Sequence, residues 1–361
     1  MKFQMTARML GLLGATALAT LATAAPASAQ NYSTAALPAA TGKVEAVPGA
    51  SVRRLDKALD AIIAPGAKIE KVASGFQFTE GTIWHKGELW FSDLRANKIY
   101  SLTPAGKLTL RLDHAGGVDS FDSRYYRGSN AIIPAPDGTL LVAQHSGHRI
   151  VKLDDQMRAT SFLDKFEGKP LNSPNDMVYA KDGALYFSDP PYFFNDPVAG
   201  KTDPTKVVGT QKTNNIYRFK DGKLTAVVTD LLRPNGIGFS PDGKNFYASN
   251  TEPKSQLWKY DVRADGTLTN KKLLADWSTD KGAGVPDGLK VDSKGNIWAT
   301  GQGGVRIITP EGKVLGQIVL PEVSANIAFG GPDMKTAYLA GSTSIYRINL
   351  AIPGEKPMYS R

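Results

Sequence analysis

The sequence predicts an all-β fold of six similar units closed into a ring, and three observations carry that expectation. A turn followed by an apolar strand recurs six times, a further short apolar strand follows each copy, and no amphipathic helical stretch separates them. The six strands centre on Trp90, Leu141, Tyr186, Tyr247, Trp298 and Tyr338, at steps of 51, 45, 61, 51 and 40 residues. Their followers are Ile99-Tyr100, Ile150-Val151, Ile216-Tyr217, Leu257-Trp258, Val305 to Ile307 and Ile345-Tyr346. Periods of this size with several strands apiece are those of β-propeller blades, whereas a parallel α/β sheet needs helices between its strands. The 36 Gly and 22 Pro among 361 residues supply the turns.

The elements follow in order. Residues 1–29 read as a secretory signal: Lys2 and Arg8, an apolar run from Met9 to Ala24, then Ala27-Ser28-Ala29 as a small-residue cleavage site. The run is short and rich in Ala and Gly, unlike a membrane anchor. Export to the periplasm or medium is the expectation. Residues 30–68 are expected to be a flexible linker, rich in Ala, Pro, Thr and Gly as far as Gly49, and then a short helix. Val52, Leu55, Leu59 and Ile62 fall at helical spacing behind Ser51 as N-cap, and Ala64-Pro65-Gly66 stops the run. Residues 69–350 form the propeller. Its sixth unit ends near Leu350 without an outer strand, which Ile69 to Ala73 is expected to supply, joining the two ends of the chain. Residues 351–361 form a C-terminal tail.

Composition narrows the function. No cysteine means no disulfide scaffold, zinc ribbon or thiol nucleophile, and four histidines leave little room for a His-rich metal cluster. The formal charge of +9 falls to +7 without the leader, and its basic residues are scattered, so no nucleic-acid tract is implied. No Gly-rich strand-to-helix fingerprint suggests a nicotinamide or flavin. Neither a membrane after leader removal nor a protein partner is implied; the expected partner is a small molecule.

The chemistry lies in a second periodicity. The strand opening each unit carries one polar residue at a fixed register: Glu80, Asn130, Asn175, Asn235, Asp287 and Asn326. First strands line the central channel of a propeller, so these six converge near the axis. Asn and Asp at strand starts are ordinarily turn formers, but six in register, one of them a Glu, point to a shared site. Carboxylate and amide oxygens select a hard cation, and a ring of them suits the larger, geometrically tolerant Ca²⁺; Mg²⁺, Mn²⁺, Zn²⁺ and Fe²⁺ remain alternatives.

The segments TEGTIWHKGELWFSD, SPNDMVYAKDGALYFSDPPYF, RPNGIGFSPDGKNFYASN, VPDGLKVDSKGNIWATGQGG and NIAFGGPDMKTAYLAG, in this order over roughly residues 52–350, resemble the gluconolactonase/regucalcin/luciferin-regenerating-enzyme family. The resemblance implies a six-bladed propeller with a divalent metal in its channel, ligated by Glu80, Asn235 and Asp287. Asn175 would be a fourth ligand or would hold water or substrate. It also implies hydrolysis of a sugar lactone such as gluconolactone, the ion polarising the carbonyl and Asp287 activating the water. Thr82 departs from the family pattern, which commonly has Pro there.

Substrate contacts are expected from Asn130, Asn175, His145, Arg127 and Tyr192, the last two on long loops (His114 to Ser129 and Pro190 to Thr213) placed to cover a pocket. His148 is a weaker candidate of the same kind. Asp93 and Asp189, ending FSD strands, are expected to cap turns, and Asp176, next to Asn175 along a strand, to point away from the site. Alternatives are hydrolysis of other lactones or phosphotriesters, or a non-catalytic module with a calcium ion plugging the channel.

Overall fold

The computed structural model describes residues 41–118, 128–194 and 209–360. Six antiparallel sheets of four or five strands hold 26 of the 28 strands among the described residues. Each blade runs from an inner strand outward: in blade one Thr79–His85, Glu88–Asp93, Lys98–Leu102 and Leu108–Asp113, in blade four Pro234–Phe239, Asn245–Asn250, Gln256–Val262 and Leu268–Asp276. The anchor residues from the repeat are the blades' packing surfaces. Trp298, Tyr186 and Tyr247 are wholly buried. Trp84 of blade one stacks on Tyr338 of blade six at 5.7 Å, and Trp298 of blade five meets Phe329 of blade six edge-on at 5.4 Å. Such aromatic pairs add about 0.5–1.5 kcal/mol each beyond the area they bury.

The ring closes as expected. Ile69–Ser74 pairs antiparallel with Ser344–Asn349, so the sixth blade takes its outer strand from the start of the propeller. An exposed ladder edge is thereby paired.

The segment ahead of it departs from expectation. Residues 41–49 do not all behave as linker: Glu45–Ala46 adds a fifth strand to blade six, beside Ile69–Ser74. Ser51–Arg54 is a strand too, paired with Val314–Val319 of blade five. The helix shrinks to a 3₁₀ turn over Lys57–Ala61, capped by Asp56, whose carboxylate accepts from the Ala58 N–H at 2.8 Å, and not by Ser51. Leu59 and Ile63 are buried, but Leu55 is exposed, so the apolar spacing was no helical stripe. An outer strand with an unpaired ladder is a stronger partner for residues 51–54 than one isolated turn of helix.

The tail is also placed. Gly354 bridges to Asp292, Tyr359 packs edge-on against Tyr179, and the Ser360 hydroxyl donates to the Trp84 carbonyl. It runs beneath one end of the central channel.

Candidate active site

Each inner strand reaches the axis through an irregularity. Ladder pairing slips between Glu80 and Ile83, Ser129 and Ile132, Pro234 and Ile237, and Ser324 and Asn326. In blades three and five the regular strand begins only at Met177 and Leu289, just after Asn175 and Asp287. Bulges re-aim side chains at the cost of ladder bonds, and neighbouring blades replace those bonds here. The Ala131 N–H donates to the Asn175 carbonyl, Gly236 to Asp287 and Gly288 to Ala325, at 3.1, 3.0 and 2.8 Å.

So close an approach excludes side chains. A Cβ on Gly81, which has φ +57°, would lie 2.0 Å from the Asn130 carbonyl oxygen, and one on Gly236 2.3 Å from that of Asp287. The Glu-Gly, Asn-Gly and Asp-Gly pairs of blades one, four and five are therefore a signature of converging strands.

The polar residues gather at one end of the channel, in a cavity of about 220 Å³. Glu80, Asn130, Asn175, Asn235 and Asp287 all line it, with His145 and Tyr192. Glu80 is 2% exposed, and its Oε2 accepts from the Gly81 N–H at 2.6 Å and from Asn326 Nδ2 at 2.7 Å. Burial pushes the Glu80 pKa up. Burial and the Glu80 charge together push Asp287 well above the ordinary carboxylate range, against the pull of a hydrogen bond from Asn235. Asn235 Nδ2 also donates to the Tyr192 hydroxyl at 3.0 Å and to Thr251 Oγ1 at 3.2 Å. That leaves Asn235 Oδ1, like Asn130 Oδ1, buried with no hydrogen-bond partner.

These residues fit a hard divalent cation. Two carboxylates repel one another across a shared site, and two buried amide oxygens lack donors; a cation between them would relieve both costs. Among the described residues no three of His, Cys, Asp or Glu gather as a metal-binding group, so amides have to complete the set.

Matches to known proteins follow this frame. Residues 78–343 match the SMP-30/gluconolactonase/LRE-like family model. The chain belongs to that family. A gluconolactonase of Zymomonas mobilis is 33% identical over 310 residues, 82% of this chain and 85% of that protein. The pentonolactonase XacC of Haloferax volcanii is 34% identical over 271 residues, 72% and 80% of the two chains. A gluconolactonase structure from Xanthomonas campestris superposes with a TM-score of 0.74 at 26% identity, over 86% of this chain and 98% of that one.

Within this family fold the other expected residues divide. His145 is buried, its ring parallel to that of Tyr192 at 6.3 Å, and burial brings its pKa down to about 3. It is a neutral imidazole whose Nδ1 has no partner. Tyr192 contributes a ring wall, since its hydroxyl is engaged by Thr251 at 2.6 Å and by Asn235. His148 lies outside the cavity, bonded to the Asn172 carbonyl and packed on Phe193 and Phe194. Arg127, with Arg124 to Tyr126, lies outside the described residues. Asp93 caps the loop before blade one, accepting from the Gln77 and Phe78 N–H groups at 3.1 and 2.9 Å. Asp189 accepts from Asn172 N at 2.8 Å in the loop leading to Asn175.

Asn326 is a correction. Its amide turns away from the cavity, its Oδ1 accepting from the Ile327 N–H at 2.8 Å while its Nδ2 holds Glu80. Residues not anticipated also line the site. Arg233 sits with its guanidinium 5.5 Å from the Tyr192 ring centre, and Thr251 accepts from Asn235 and donates to the Pro286 carbonyl at 2.8 Å. Arg233 was readable from RPNG, because residues two apart on an extended strand share a face. Thr251 carries no such signal.

Proposed function

We propose that this protein hydrolyses a sugar lactone of the gluconolactone type with the help of a divalent cation. The observation that carries the reading is the pairing of two buried carboxylates with unpartnered amide oxygens on the propeller axis, in a chain whose relatives are named gluconolactonase and pentonolactonase. Glu80, Asn175, Asn235 and Asp287 would hold the ion, for which Ca²⁺ suits an all-oxygen set. When bound, the cation supplies Lewis acidity for the lactone carbonyl.

The chain's own groups do the rest. Asp287 takes a proton from the attacking water as its oxygen bonds to the carbonyl carbon. It returns that proton to the ring oxygen as the C–O bond breaks, so lactone and water become a hydroxy acid. The neutral His145 offers Nδ1 as an acceptor to a sugar hydroxyl, Asn130 offers its amide, and the Tyr192 ring walls the pocket. We retain Arg127 as a proposed further substrate contact and residues 1–29 as a proposed export leader, which N-terminal sequencing of the mature protein checks.

Proton release from δ-gluconolactone, followed with a pH indicator, tests the proposal. The wild type should lose activity to a chelator and regain it with Ca²⁺ or Mn²⁺. Lactone opening at the wild-type rate in a folded Asp287→Ala variant would sink the assignment of the base and favour a non-catalytic module.

A further inference from the structure

We propose that Asn326 and Lys290 form a polarity-locked clamp that fixes the Glu80 carboxylate and so sets the affinity of the site for its cation. The inference rests on the cation reading above and goes beyond it, since neither residue lines the cavity.

Lys290 lies two residues past Gly288, beyond the ring. Its ammonium donates to the Leu289 carbonyl at 2.9 Å and to Asn326 Oδ1 at 3.4 Å, and stands 3.6 Å from Asp176 Oδ2. Asn326 Oδ1 also accepts from its neighbour's N–H, and Nδ2 donates to Glu80 Oε2 at 2.7 Å. Rotating that amide by half a turn would set its NH₂ against an ammonium and an N–H, and its oxygen against a carboxylate. Each of those contacts is repulsive, so the amide has one orientation. Space is made for it as well: a Cβ on Gly288 would lie 2.4 Å from Asn326 Cγ.

The consequence falls on Glu80. Two N–H donors occupy Oε2, which leaves Oε1 as the oxygen free of those donors and open to a cation. Asp176 is held apart from the site, its two oxygens accepting from the Met177 and Ile237 N–H groups at 3.0 Å each. Lys290, 3.6 Å away, offsets its charge in part, and Glu80 and Asp287 are the two axial carboxylates that line the cavity, a number that matches a divalent ion. Both clamp residues act through Glu80 and are positioning residues.

Titration calorimetry of Ca²⁺ and of Mn²⁺ into chelator-stripped protein tests this without substrate. Asn326→Ala should weaken binding about tenfold or more, the usual effect of removing a group that orients a metal ligand. Lys290→Met separates two roles by sign. Removing a nearby positive charge by itself tightens cation binding, whereas losing the clamp loosens it; loosening is expected, with Lys290→Arg restoring most of the affinity. Melting in chelator reports on folding, and Lys290→Met keeps the test open if Asn326→Ala does not fold. Unchanged affinity in folded Asn326→Ala, or tighter binding in Lys290→Met, overturns the clamp even if the wild type binds the ion and opens lactones. A wild type that binds neither ion overturns the clamp and the cation reading together.

Discussion

The two ends of the central channel are built from the same strands and differ in almost every other respect. At one end Glu80, Asn130, Asn175, Asn235 and Asp287 surround about 220 Å³. At the other, a cavity of about 240 Å³ is walled largely by Ile83, Ile133, Met177, Ile237 and Val291, with Asp176 and Lys290 also on its lining, and is covered by Glu355 to Met358 of the tail. In blades one to five, two to four residues along the chain separate these polar residues from these apolar ones. The difference shows where folding free energy is generated and where it is given up. The apolar end contributes burial at roughly 25 cal/mol per Å². The polar end desolvates charges, which costs stability unless a counter-ion is present. The proposed function uses the end that the fold by itself does not favour.

Exchanging one residue at each end tests that contrast most sharply. Glu80→Gln should lower kcat/KM by about 10³-fold, roughly 4 kcal/mol of transition-state stabilisation, while in chelator the protein melts no lower than wild type because a repulsive pair is gone. Ile133→Ala at the apolar end should do the reverse, costing about 2–4 kcal/mol of stability in urea titrations with activity kept within a few-fold. Equal losses of stability from both variants would contradict the comparison.

A smaller effect separates two glycines on one strand. A Cβ on Gly236 meets the Asp287 backbone at 2.3 Å, whereas one on Gly238 meets the flexible Leu289 side chain at 2.9 Å. Gly236→Ala should therefore cost about 1–3 kcal/mol and disturb the site, and Gly238→Ala clearly less, as thermal melts with and without Ca²⁺ will show.

A pH dependence is predicted at Asp189, buried beside the loop that leads to Asn175. Burial raises Asp189 from about 4 to about 7, so the folded state holds its proton more tightly than the unfolded chain. Its stabilising contribution is complete below about pH 4 and disappears as pH rises through about 7. Wild-type stability should fall relative to Asp189→Asn across that window in urea titrations at closely spaced pH. A difference independent of pH would exclude a raised Asp189.

Much of this was legible in the chain because a propeller writes its geometry as a period. The anchors from Trp90 to Tyr338 mark six blades, and the strand-opening residues mark a common centre, since equivalent positions on inner strands must meet near the axis. The same regularity predicted that Ile69 to Ala73 would complete blade six. Where the period is silent, reading residues one at a time failed. The helical spacing after Ser51 was coincidental, and only the presence of an unpaired strand in blade five decides that residues 51–54 extend its ladder.

Asn326 makes the same point within the site. Its register is that of a ligand, but register fixes where a Cα lies and not which way an amide turns. Lys290, Ile327 and Glu80 decide that turn, and they come together only when blades five, six and one close. By itself the sequence determined the blades, the ring and the oxygen chemistry of its centre, because these follow from local patterning repeated along the chain. The tertiary structure decided which oxygens face the centre and which residues hold them, because those choices depend on hydrogen bonds between blades distant in sequence.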